Sequence, residues 1–150
     1  MCMAFGIKII DENLTVSLSD ILNAIEGSNY FWTLFYLEAR GNVGEGKPII
    51  DLEEQASDSD TGLRYEWNDL NDLAKKFDQV IDVVIVGREH GYADRRFSGD
   101  QVMYDNSDIV IEMIDSSYWL IHSQKELFVS EVSHALKIKA PQAKIETIQS

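Results

Sequence analysis

The sequence predicts an α/β chain of the α+β type: a single domain with a mixed or antiparallel sheet of about five to seven strands and three helices packed on it. Three observations carry this. Apolar segments of strand character are interspersed with segments of helical periodicity. Only some of the strand-like segments follow helices, and the others follow each other, which favours hairpins over repeated crossovers. Hydrophobic residues make up 45% of the 150 positions, enough to build a core without a disulfide or structural metal. No repeat, linker or low-complexity stretch divides the chain.

Phe5–Ile10 reads as the first strand. Leu18, Ile21, Leu22 and Ile25 then fall at i, i+3, i+4 and i+7, one apolar helix face. Ser17 and Asp20 have the spacing of a capping box before it, and Gly27 is placed to end it. Tyr30–Arg40 is aromatic-rich and apolar on both alternations, as a strand covered on two faces would be. Gly41–Lys47 turns the chain, Pro48–Glu54 reads as a returning strand, and Gln55–Gly62 as an exposed loop. Trp67, Leu70, Leu73, Ala74 and Phe77 line one side of a second helix, and Gln79–Val86 has strong strand propensity. Arg88–Asp100 is a long loop. Gln101–Tyr104, Asp108–Asp115 and Tyr118–His122 read as strands, the last two a hairpin across Ser116 and Ser117. Ser123 and Glu126 suggest a capping box for a third helix buried through Phe128, Val129, Val132, Ala135 and Leu136. The globular domain is expected to span residues 1–137, with 138–150 a frayed tail. The expected core joins Leu18, Ile21, Ile25, Phe35, Leu70, Ala74, Val84, Ile111, Phe128 and Val132.

Charge narrows the function classes. Thirteen Lys and Arg stand against 26 Asp and Glu, a formal net charge of −13. Such a surface repels nucleic-acid phosphates and anionic lipid, so neither nucleic acid nor membrane is an expected partner. The N-terminal segment lacks a signal-peptide pattern, and Cys2 is the only cysteine, so a cytoplasmic protein without disulfides is expected.

Short motifs supply little chemistry. Gly41–Lys47 matches the first seven positions of a phosphate loop, but Pro48 replaces the Ser or Thr that holds Mg²⁺, and no helical periodicity follows. Asp58, Asp60 and Asp69 have the spacing of calcium-loop positions, but Leu63 stands where glycine makes the turn and no incoming helix is evident. His90, His122 and His134 show no metal-ligand spacing, so no metal and no cofactor is expected. No nucleophile motif is present, so no catalytic residue is assigned. The alternative to a binding protein is a small enzyme or anion-binding domain using Arg88, His90, Arg95 and Arg96, an arginine fork beside an imidazole. Glu89, Asp94 and Asp100 balance those arginines, which fits a self-paired surface loop equally well.

Carboxylates are clustered. From Asp51 to Asp72 eight of them face one base, Arg64, and from Asp100 to Asp115 there are five and no base. Asp58, Asp60, Glu66, Asp69 and Asp72, with Tyr65 and Trp67 beside them, have the makings of a partner surface with charged rim and aromatic anchors. Trp67 also shares the helix stripe with Leu70 and Ala74, which is the pattern of a core residue. Tyr65-Glu66-Trp67-Asn68-Asp69-Leu70 leading into Leu73–Phe77, together with Ile111–Leu120, resembles the bacterial immunity proteins of polymorphic-toxin and contact-dependent growth inhibition systems. The resemblance implies a small non-enzymatic cytoplasmic inhibitor that binds one cognate toxin domain, commonly a nuclease. The carboxylates would then occupy a basic groove of that toxin.

Overall fold

The computed structural model describes residues 5–41 and 49–149. In chain order these form β1 (Phe5–Ile10), α1 (Leu18–Ile25), β2 (Phe31–Gly41), α2 (Ile49–Asp58), β3 (Leu63–Tyr65) and α3 (Trp67–Ala74). There follow β4 (Phe77–Arg88), α4 (Asp100–Asp105), β5 (Ile109–Ile114), β6 (Tyr118–Ser123), α5 (Glu126–Lys139) and β7 (Lys144–Gln149). All the strand pairings are antiparallel, in one seven-stranded sheet of order β3-β2-β4-β5-β6-β1-β7. The fold is therefore of the α+β class.

Register sorts the side chains into two layers. Leu34, Ile85, Ile111, Ile121 and Ile7 stand opposite one another across five strands, and all are buried. Because side chains alternate along a strand, the next row belongs to the other face. That row is Thr33, Val86, Val110, His122 and Gly6. The first face carries the main core, packed under Leu18, Ile21 and Leu22 of α1, Leu70 of α3 and Val132 of α5. The second carries a smaller cluster of Phe35, Val86, Ala93, Met103 and Val110 beneath α4 and the loop before it. Val84 and Phe128 are half-buried at the margins of the two clusters, and the other residues expected in the core are buried.

Local chemistry sets several boundaries. Ser17 Oγ accepts from Asp20 N–H at 3.1 Å while Asp20 accepts from Ser17 N–H at 3.0 Å, a complete capping box on α1. The β5–β6 hairpin closes through Ser117 N–H to Ile114 C=O at 2.8 Å, with Asp115 and Ser116 both left-handed (φ 47° and 55°). The short β3 covers only Trp32–Leu34 of β2. Farther along, α2 protects that edge, with Glu53 Oε2 accepting from Ala39 N–H at 3.2 Å.

Several expected elements are corrected. Pro48–Glu54 is not a strand: from Ile49 the chain is helical, and α2 continues into the segment expected as loop, to Asp58. Ile49, Leu52 and Ala56 supply its apolar side at i, i+3 and i+7, while the β-branched Ile49-Ile50 pair gives it strand character. Gln101–Tyr104 lies in α4, whose six residues are too few to show a period and whose one buried side chain is Met103. Helices thus number five among the described residues, not three. Phe77 begins β4 and does not belong to the second helix. The capping box at Ser123 does not form: Ser123 Oγ accepts from Lys125 N–H at 3.2 Å, and α5 starts one residue later. Residues 138–149 do not fray. α5 runs to Lys139, and Lys144–Gln149 pairs along the whole of β1. That partner strand lies at the far end of the chain, so no local pattern announces the pairing.

Candidate functional site

The five carboxylates expected at a partner surface lie on the segments that flank β3 in the chain. Asp58 ends α2, Asp60 is in the following turn, Glu66 precedes α3, and Asp69 and Asp72 are on α3. All five are exposed, and among the described residues none is held in an ion pair. Arg64, the base among them, does not neutralise a carboxylate: its Nη2 reaches Ala93 C=O at 3.5 Å and its guanidinium lies 5.1 Å from the Tyr92 ring centre. Burial, reinforced by Asp69, raises the Tyr65 phenol above its ordinary pKa. Lys8, Lys137, Lys139 and Lys144 belong to β1, α5 and β7 at the other end of the strand order. Six strand spacings separate the edges, about 29 Å at ~4.8 Å per strand. Glu126, Glu131 and Glu146 on the same elements nearly balance those lysines, with Lys144 on Glu146 at 3.1 Å. That end is close to neutral, while the β3 end, with Arg64, Lys75 and Lys76 as its bases, is acidic.

The Arg88–Asp100 loop is not an anion fork. Arg96 is spent on backbone: Nε donates to Ser59 C=O at 3.0 Å, Nη1 to Phe35 C=O at 2.6 Å, and Nη2 to the carbonyls of Ala56 and Ser57. Its N–H also donates to Asp60 C=O at 3.1 Å. A cation is thereby fixed at the C-terminus of α2, where the orphan carbonyls and the helix dipole favour it. Arg88 Nη1 donates to Tyr92 C=O at 3.1 Å, Arg95 is exposed, and the His90 side chain is 92% exposed. The structure does not gather Arg88, His90, Arg95 and Arg96 around one point. Nor are the arginines paired with the loop's acids, since Glu89 bonds Lys125 at 3.0 Å.

The loop instead completes an aromatic cleft beside the acidic edge. Tyr30, Phe31, Trp67 and Tyr92 line it together with Glu66 and Asn68. Behind Trp67 lies Trp32, a fully buried indole whose Nε1 donates to Gly27 C=O at 2.8 Å. Gly27 and Gly87 are glycines because of that ring: a Cβ would come within 2.3 Å and 2.8 Å of it, respectively. Trp67 packs on Trp32 at 5.4 Å, and Phe31 meets Tyr92 edge-on at 5.1 Å. Trp67 is thus half-buried, both core-supported and solvent-facing. Tyr30 and Phe31 escape a sequence reading because a strand's two alternations do not disclose which end leaves the sheet.

A buried polar trio lies on the second face. Tyr104 Oη donates to Glu112 Oε1 at 2.6 Å, and the Tyr104 ring stacks on His122 at 3.9 Å. Burial holds the His122 imidazole down at about 4, with Asp100 opposing, so it is neutral at pH 7. Burial raises Glu112, against the Tyr104 hydrogen bond, and raises Tyr104 well above its usual range. His122 Nδ1 is buried without a partner. These residues fasten α4 to the sheet, helped by Gln124 Nε2 donating to the Tyr104 and Asp105 carbonyls.

The remaining motifs resolve differently. Asn42–Pro48 of the phosphate-loop match lies outside the described residues, but a helix, α2, does follow it. An incoming helix likewise precedes the Asp58–Asp69 segment, yet the carbonyls of Ser59 and Asp60 already accept from Arg96. Among the described residues no three His, Cys, Asp or Glu side chains come together as metal ligands, and no helix is long and apolar enough to cross a membrane. Cys2 lies outside the described residues. Comparison with known proteins finds no matching family model, no matching curated protein and no matching solved structure.

Proposed function

We propose that this chain is a non-enzymatic, cytoplasmic binding module whose acidic β3 edge docks on a basic protein and occludes it. One observation carries the reading: five exposed carboxylates, none in an ion pair among the described residues, flank β3 with Arg64, Lys75 and Lys76 as the nearby bases, whereas lysines and glutamates nearly balance at the opposite end of the sheet. A field of that asymmetry orients as well as attracts a cationic partner. The likeness of Tyr65–Phe77 and Ile111–Leu120 to immunity proteins suggests a toxin domain, such as a nuclease, as that partner. Carboxylates on the edge would stand where nucleic-acid phosphates otherwise lie. The test is inhibition. A partner recovered with the purified chain, identified and assayed alone, should be basic and should lose its activity on one-to-one addition of the chain. An acidic partner, or one whose activity is untouched at saturation, overturns the reading.

A further inference from the structure

We infer that the cleft formed by Tyr30, Phe31, Trp67 and Tyr92 with Glu66 is the anchor pocket of this surface, and that it takes a single arginine or lysine side chain of the partner. The inference rests on the proposed docking of a basic protein and names the group that makes it specific. Aromatic faces attract a cation through the ring quadrupole, and more strongly once water is excluded. The molecule already uses its rings this way: Lys8 lies 4.3 Å from the Tyr118 centre, Arg64 5.1 Å from Tyr92 and Arg96 5.5 Å from Phe35.

The carboxylate decides the occupant. The cleft encloses about 750 Å³, its open mouth included, room for a long side chain and its flanking backbone. An aliphatic side chain seated there would desolvate Glu66 without a partner, which is costly, whereas a guanidinium or ammonium supplies one. An anion is the other conceivable guest, because α3 begins at Trp67 and Glu66 leaves its first N–H groups without a side-chain cap. That helix end is worth about half a positive charge. Around the cleft Arg64, Arg88 and Lys125 with that helix end, roughly three and a half positive charges, nearly balance Glu66, Asp69, Glu89 and Asp108. Of the residues lining the cleft itself, Glu66 carries the one formal charge, and it favours a cation. Phe31, 42% exposed, stands at the lip edge-on to Tyr92 and leaves apolar ring surface for a guest to cover.

The probe is a short Gly-Ser-Arg-Ser-Gly amide, compared with the same peptide carrying citrulline, which keeps the shape and loses the charge. Indole N–H resonances report directly: Trp67 lines the cleft, while Trp119, hydrogen-bonded to Val16 C=O at 3.2 Å in the core, serves as control. The Trp67 resonance should move saturably with the arginine peptide, at an affinity about tenfold above that for citrulline. Trp119 should stay still. Phe31→Ala and Glu66→Gln should each weaken binding about fivefold or more, and both are surface changes that leave the Trp119 resonance in place. Equal binding of the citrulline peptide, an unmoved Trp67, or a response intact in both variants overturns the pocket. Docking of the acidic edge is tested separately, by inhibition of the partner, so loss of the pocket alone leaves it intact.

Discussion

Replacing Arg96 by alanine should be among the most destabilising single changes on this surface, although the residue belongs to a loop. Its guanidinium donates to four carbonyls, of Phe35, Ala56, Ser57 and Ser59, and so ties β2, the end of α2 and the loop before α4 together. A hydrogen bond from a charged donor contributes about 1.5–3 kcal/mol net, but Arg96 is half-exposed and water can replace part of each contact. A total near 3 kcal/mol follows, equivalent to lowering Tm by about 6–12 °C for a domain of this size. Arg96→Lys keeps the charge at the helix end but loses the planar fork, and should recover about 1 kcal/mol. The neighbouring Arg95→Ala, which removes an exposed side chain, should change stability by less than about 0.5 kcal/mol. Urea unfolding of the three variants measures this, and hydrogen exchange locates it: amide protection near Asp60 and Gly62 should drop first in Arg96→Ala. If Arg96→Ala and Arg95→Ala lose equal stability, the clamp is wrong, and Arg96 regains its place as a free anion-binding group.

Three further outcomes follow from the same structure. Burial lowers the folded His122 pKa to about 4 from the ordinary 6.5, so the unfolded chain binds more protons between those values. Stability should therefore fall as pH drops from about 6.5 to 4, by roughly 3 kcal/mol from this group, offset by the raised Glu112, which is favoured by protonation. His122→Leu should remove the acid-side loss, leaving unfolding free energy flat or rising on acidification over that range. Gly87→Ala drives a methyl into the Trp32 indole and should cost about 1–3 kcal/mol while disturbing the Trp67 environment, read by indole resonances. His90→Ala should leave both stability and partner inhibition unchanged, since its side chain is 92% exposed; loss of any turnover in this variant would revive the catalytic loop.

What the sequence made legible was what local chemistry decides. The α1 capping box, the strand character of β1 and β4 to β6, and the hairpin joining β5 to β6, though its turn centres on Asp115 and Ser116, need only nearby residues. α2 was hidden because two isoleucines and a preceding proline gave strand character to a segment whose helix is held by Glu53 on Ala39 and by Arg96 on its last turn. β7 was hidden because its partner, β1, opens the described chain. At the site, charge density singled out Asp58, Asp60, Glu66, Asp69 and Asp72, and the fold leaves all five exposed. It also suggested that the arginines of the 88–100 loop would pair with acids, whereas Arg88 and Arg96 went to carbonyls. The cleft was partly visible: Tyr65 and Trp67 were marked in sequence as aromatic anchors, and Trp67 lines it, but only the pairing of β2 with β4 brings Phe31 opposite Arg88 and hence near Tyr92.

The central claim, that the acidic edge guides a basic protein onto this chain, is tested most directly by association kinetics against ionic strength. The triple change Asp60→Lys, Asp69→Lys, Asp72→Lys alters the formal charge of −13 by six units and leaves the cleft's Glu66 in place. With the identified partner, the association rate of the triple variant at ~0.02 M salt should fall about tenfold or more below that of the native chain. The two rates should converge above ~0.15 M, where screening acts within about 8 Å. Equal rates at low salt, or a partner that binds the reversed edge as tightly as the native one at every ionic strength, would contradict the claim and leave the charge a matter of solubility alone.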